Sequence, residues 1–149
     1  MKKSNVNQLN IVMIIVLGLL IRPLTAAAGD FDGSTPLICA VIDAVGCSPG
    51  SNCEQRAPEE MGLLRFFRID FEKGVISGTG QAGSGRSTKI ERTEEVDGKL
   101  ILQGAEEARE GVRDGVGWTL ALSKDSGELV GTASGDQAAF VVFCNCTAD

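Results

Sequence analysis

From residue 36 onward the chain is a succession of short apolar or alternating runs separated by turn residues, and no run holds a helical period for long. Residues 36–45 place Leu37, Cys39 and Val41 on one face and Ile38, Ala40 and Ile42 on the other, which predicts a strand buried on both sides. Residues 64–71 alternate, with Phe67, Ile69 and Phe71 against Arg68 and Asp70, and Arg65 out of phase. Glu72-Lys73-Gly74 turns the chain into 75–77. A glycine-rich loop over 78–87 then leads to a polar alternating run over 88–96. Asp97-Gly98 is a strong hairpin signal before 99–103. Residues 117–123 point Trp118, Leu120 and Leu122 inward, 128–134 follow a Lys124–Gly127 turn, and 137–146 set Phe140, Val142, Cys144 and Cys146 on one face. The stretch 104–117 is ambiguous: 106–110 could form one helical turn, but glycines follow closely.

Eight strands with short connections favour an antiparallel meander, because parallel strands need long crossovers. Eight strands in a chain of this length suit an all-β fold, a closed or nearly closed small barrel, with a β-sandwich as the alternative. In a closed meander the first and last strands become neighbours.

The residues before this pattern are of another kind. Lys2 and Lys3 precede a predominantly apolar segment over 9–21, Arg22-Pro23 breaks it, and Thr25-Ala26-Ala27-Ala28 offers a small-residue cleavage pattern. At about 1.5 Å per residue the apolar segment spans roughly 20 Å, short of the ~30 Å hydrocarbon core. Residues 1–28 therefore read as a secretory signal peptide and 29–149 as a single disulfide-containing β domain, periplasmic or secreted, with no membrane attachment after cleavage.

The leader takes three of the 14 Lys+Arg and none of the 20 Asp+Glu, which leaves the mature domain at −9. So acidic a surface argues against nucleic acid and anionic lipid as partners. The chain has no histidine, which removes Ser-His-Asp and Cys-His catalysis and histidine-containing metal sites. It has no tyrosine and a single tryptophan, Trp118, so aromatic stacking platforms are scarce.

Oxidising surroundings turn attention to the five cysteines. Cys47 and Cys53 bracket a turn-rich loop, and a local bridge there is worth about 2 kcal/mol on the chain-entropy model. Cys39 lies on the first strand, and Cys144 and Cys146 on the last. A bridge from Cys39 to either of that pair closes a loop worth about 4–5 kcal/mol on the same model. Cys146 is taken as the partner and Cys144 as the spare thiol, a buried strand cysteine acting as a small hydrophobe. Neither a C-x-x-C redox motif nor a four-ligand zinc set is present.

Several motifs invite chemistry without completing it. Gly78 to Gly83 matches G-x-G-x-x-G, and Gly80 to Ser87 nearly matches a P-loop with Arg86 in the lysine position. Both need a following helix whose N-terminus faces the phosphates, and the pattern after the loop is that of a strand. Glu59-Glu60, Glu94-Glu95 and Glu106-Glu107 are adjacent acids, which point to opposite faces if they lie on strands, so they read as solvated loop acids. Residues 30–33 and 125–128 hold fragments of calcium loops, and Asn145-Cys146-Thr147 is a formal glycosylation sequon. No catalytic, cofactor-binding or metal-binding residue is assigned and no cofactor is expected.

The runs Phe31-Asp32-Gly33-Ser34, Leu37-Ile38-Cys39-Ala40, Cys47-Ser48-Pro49-Gly50 and Arg68-Ile69-Asp70-Phe71 resemble a family of small exported bacterial proteins of unknown function. Leu100 to Gly104, Gly117-Trp118-Thr119-Leu120 and the terminal Phe143-Cys144-Asn145-Cys146-Thr147 fit it too. That family ends in Phe-Gly-x-Cys-Thr, so Cys144 stands where the resemblance implies glycine. This agrees with Cys144 as the spare thiol and implies no activity. The expected function is a non-catalytic β-barrel binding a small ligand or envelope component. The alternatives are an interaction or inhibitor module using loops 47–53 and 106–114, then a carboxylate-based hydrolase.

Overall fold

The computed structural model describes residues 31–107 and 115–149, so the leader and most of the acidic loop lie outside the described residues. Ten antiparallel strands form one sheet. They are β1 (Leu37–Cys47), β2 (Glu54–Gln55), β3 (Phe66–Asp70), β4 (Val75–Gly78), β5 (Ser87–Lys89), β6 (Arg92–Val96), β7 (Lys99–Glu106), β8 (Val116–Ser123), β9 (Glu128–Ser134) and β10 (Ala139–Ala148). Their spatial order is β5-β4-β3-β1-β10-β9-β8-β7-β6, with the two-residue β2 paired to β1.

The ends of that order meet through the chain itself. The run read as one strand over 88–96 bends at Ile90-Glu91 into β5, which pairs with β4, and β6, which pairs with β7. Across the bend the Ile90 amide donates to the Gly74 carbonyl at 2.8 Å and the Glu91 amide to the Gln103 carbonyl at 2.9 Å. The sheet thus curls into a nearly closed antiparallel barrel whose first and last long strands, β1 and β10, lie side by side. Asp97 and Gly98, at φ 46° and 75°, make the tight β6–β7 hairpin with both central residues left-handed.

Strand β1 departs from expectation. Leu37, Cys39, Val41 and Ala44 are buried inward, but Ile42 is 59% exposed rather than covered on the second face. The register with β10 shifts between Val41 and Asp43. An extra residue there bulges the strand and turns Ile42 out to solvent.

Inside, the barrel has two unlike halves. At the end carrying the start of β1 and the close of β3, Leu37, Ile69, Leu102, Leu122 and Leu129 are almost completely buried. Phe31 closes that end by lying over Gly127, where a Cβ would fall 2.4 Å from its ring. Outside the same end, Asp70 sits buried among donors: Arg68 Nη1 at 2.7 Å, Lys73 Nζ at 2.9 Å and the Lys73 amide at 3.0 Å. Hydrogen bonds from the Lys73 ammonium and amide, then from Arg68, hold its carboxyl far below the usual carboxylate range.

Two disulfides tie the frame. Cys39 faces Cys146 directly across β1 and β10, Cα to Cα 4.0 Å, and the bridge joins them over a sequence separation of 107. Cys47–Cys53 closes the short loop. Cys144 stands opposite Val41, one diagonal step from Cys39. Diagonal neighbours on a sheet lie about 7–8 Å apart, beyond the reach of a disulfide. It is free and buried, and burial pushes its thiol up to about 12.

Candidate functional site: an apolar cup

The second half of the barrel is open. Strands β1, β3, β4, β5, β7, β8, β9 and β10 all contribute to the lining of a cavity of about 640 Å³. Its floor is Val41, Phe67 and Leu120, all buried. Val142 and Leu120 lean across Gly131, where a Cβ would fall 2.7 Å from each, so this glycine lets two branched side chains meet beneath the cavity.

One wall comes from outside the sheet. After the Cys47–Cys53 loop, Pro58–Met61 forms a 3-10 turn that Gly62 ends in a left-handed conformation, φ 70°. Glu59 pins the turn to Arg65 through a two-point ion pair. This carries Met61, Leu63 and Leu64 to the cavity, and Met61 Sδ comes so close to β1 that a Cβ on Gly46 would meet it at 2.8 Å.

The opposite wall is Trp118, which also seals the seam between β5 and β7. Its ring lies on Gly104, where a Cβ would fall 2.3 Å from Cζ2, and its Nε1 donates to Thr88 Oγ1 at 3.1 Å. The indole thereby satisfies its polar atom against β5 while the residue lines the cavity.

The glycine-rich loop forms part of the rim. Within the glycine-rich loop that the sequence predicts over 78–87, Gly80–Gly83 forms a single helical turn. Its glycines are explained by contact: Gly78 and Gly83 press together so that a Cβ on either would lie 2.4–2.6 Å from the other's backbone. Gly80 adopts φ 67°. The phosphate-like spacing is the spacing of two backbones in contact. Arg86 follows, half-buried on the cavity wall, with Nη2 donating to the Gly62 carbonyl at 3.1 Å.

Of the adjacent acids, only Glu94 and Glu95 separate as strand geometry requires; Glu59 and Glu60 lie in the 3-10 turn, and Glu106 and Glu107 line one cavity rather than opposite faces. Glu59 pairs with Arg65, Glu94 with Arg92, and Glu95 with Lys124. Glu94 and Glu95 lie on β6 rather than in a loop. Glu106 and Glu107 reach the cavity, both exposed at its rim. Asp32 caps its own turn by accepting from the Ser34 amide at 2.8 Å, and no group of three or more metal-ligating side chains occurs among the described residues. No family model, curated protein or solved structure matches this chain.

The cup is the chemical opportunity that remains. Its floor and walls are aliphatic and aromatic, its rim carries a few polar groups, and its volume falls inside the ~300–1,000 Å³ typical of small-molecule sites. Sequence pattern gave the inward faces that form it but not its emptiness. The one signal available was the small inward residue Ala133, since the space at Gly104 and Gly131 is taken up by neighbouring side chains.

Proposed function

We propose that this domain is a non-catalytic carrier or receptor that takes one small, predominantly apolar ligand into the open half of its barrel. The observation that carries this reading is the 640 Å³ apolar cup beside a fully packed half. A protein that needed only to be stable would gain by filling that space, since interiors normally pack to crystal density. Apolar cavities of this size gain most when an apolar guest displaces poorly held water.

The two disulfides support an oxidising compartment and hence export, as the leader-like segment does. No helix among the described residues is long and apolar enough to cross a membrane.

Trp118 supplies the assay, being the sole tryptophan and lining the cup. Titration with the neutral dye N-phenyl-1-naphthylamine is expected to quench Trp118 emission saturably at one dye per chain, and native mass spectrometry of host-purified protein to show a bound species. Unchanged emission together with a bare mass would overturn the reading.

A further inference from the structure

The cup is apolar but not uncharged. Among the described residues that line it, the ionic side chains are Arg86, Glu106 and Glu107. They are not equivalent. Both glutamates are exposed at the rim, where water already solvates them, whereas Arg86 is half-buried against the wall. Its guanidinium spends one donor on the Gly62 carbonyl and has no carboxylate within ion-pair distance among the described residues. Every other arginine among the described residues pairs with an acid: Arg56, Arg65, Arg68 and Arg92. In a domain with an acidic excess, a half-buried cation with no acid among the described residues is the group placed to receive one from outside.

The backbone fixes where that cation stands. The Gly78 amide donates to the Arg86 carbonyl at 2.9 Å, and the Arg86 amide donates to the Gly83 carbonyl at 3.0 Å. The residue is clamped between the end of β4 and the helical turn, directly before β5. Its side chain then runs to Gly62 at the lip of the Met61 wall. A guanidinium has five N–H donors in a planar fork suited to a carboxylate, phosphate or sulfate. With one donor used, a two-point contact to an anionic head is still available. The same cavity is lined by the apolar side chains of Phe67, Leu120, Val142, Phe140 and Trp118.

We propose that the ligand is an anionic amphiphile, a single-chain lipid-like acid whose tail fills the cup and whose charged head pairs with Arg86. This rests on the reading of the cup as the ligand site. The rim glutamates repel any anion, and only burial of a tail in the cup offsets that repulsion, so recognition needs both parts of the molecule.

The test uses three twelve-carbon probes below their micelle concentrations, dodecanoate, dodecanol and dodecylammonium, against the mature oxidised domain. Trp118 emission and calorimetry report binding. Dodecanoate is expected to bind about tenfold or more tightly than dodecanol, the range of a charge-assisted hydrogen bond, and dodecylammonium weakest. Arg86→Gln should remove the dodecanoate advantage while leaving dodecanol affinity within about twofold, and Arg86→Lys should restore part of it. Decanoate and acetate complete the series: acetate should not bind. If dodecanol equals dodecanoate, or the ammonium binds tightest, the anion assignment is overturned while the cup stands. If none of the three moves Trp118 emission while N-phenyl-1-naphthylamine still does, the amphiphile assignment is overturned and the cup stands; if the dye fails as well and the native mass is bare, the carrier reading itself falls. An unchanged circular dichroism spectrum and melting temperature for Arg86→Gln separate lost recognition from lost folding.

Discussion

Single atoms decide two features of this molecule. Gly104 has no Cβ because Trp118 and the Lys89 carbonyl occupy its place, at 2.3 and 2.5 Å. Gly104→Ala must push the indole off the seam or move β5, and overpacking of this kind costs about 1–3 kcal/mol. Urea denaturation followed by Trp118 emission should show that loss together with a red-shifted folded-state spectrum, as the ring meets water. The other feature is Asp70. Because its folded carboxyl titrates far below the ~3.9 of an unfolded aspartate, its ion pairs contribute fully above that unfolded value. The contribution is lost as pH falls from about 4 through the lowered folded value. Melting temperature measured from pH 6 to pH 2 should therefore drop at the acid end, and Asp70→Asn should lower it at pH 6 while flattening the acid limb. A steeper acid limb in the variant would contradict the assignment. Cys144 supplies a third reading at this scale: with its thiol at about 12 and buried, it should resist alkylation at pH 8 in the native domain and yield one thiol per chain once denatured.

At the scale of elements, strand pairing determines what the cysteines do. The Cys39–Cys146 bridge spans β1 and β10, the two ends of the described chain, so it constrains the unfolded state far more than Cys47–Cys53 does. Replacing both Cys39 and Cys146 by alanine should cost about 4–5 kcal/mol, against about 2 for Cys47 and Cys53, in matched guanidinium titrations. Equal costs would mean that the denatured ensemble holds β1 and β10 together without the bridge. The meander was legible because each strand announces itself by alternation and each connection by its turn residues, as at Asp97-Gly98. The splitting of one run at Ile90-Glu91 and the bulge at Ile42 were not. Both depend on which strand lies alongside, and a period-two pattern reads the same whether its neighbour is β4 or β7. The helical turn at Gly80–Gly83 escaped for a similar reason: its glycines answer to a contact between backbones, which no local propensity encodes.

For the whole molecule, the division into a packed half and an open half separates stability from binding. Leu102, Leu122 and Leu129 sit where nothing but side chains fills the barrel, so Leu102→Ala should cost about 2–5 kcal/mol by leaving a cavity in a tightly packed place. Ala133 lies on β9 at the other end, opposite Trp118 and Phe140, with its methyl on the cup. A phenylalanine there has space to enter rather than neighbours to displace. Ala133→Phe should accordingly leave the melting temperature unchanged or raise it by a few degrees, because filling a void recovers contacts that the open cup forgoes. The same substitution should weaken dodecanoate or dye binding by at least about tenfold, since the ring takes the volume a guest needs. The two variants thus predict opposite outcomes in two measurements: Leu102→Ala loses stability yet retains affinity at temperatures where it is folded, and Ala133→Phe keeps stability and loses affinity. Should Ala133→Phe destabilise as strongly as Leu102→Ala, the open half would be collapsed in solution and the barrel packed along its full length. A stable Ala133→Phe domain that no longer takes up a guest would instead identify the empty space as what the fold is kept for.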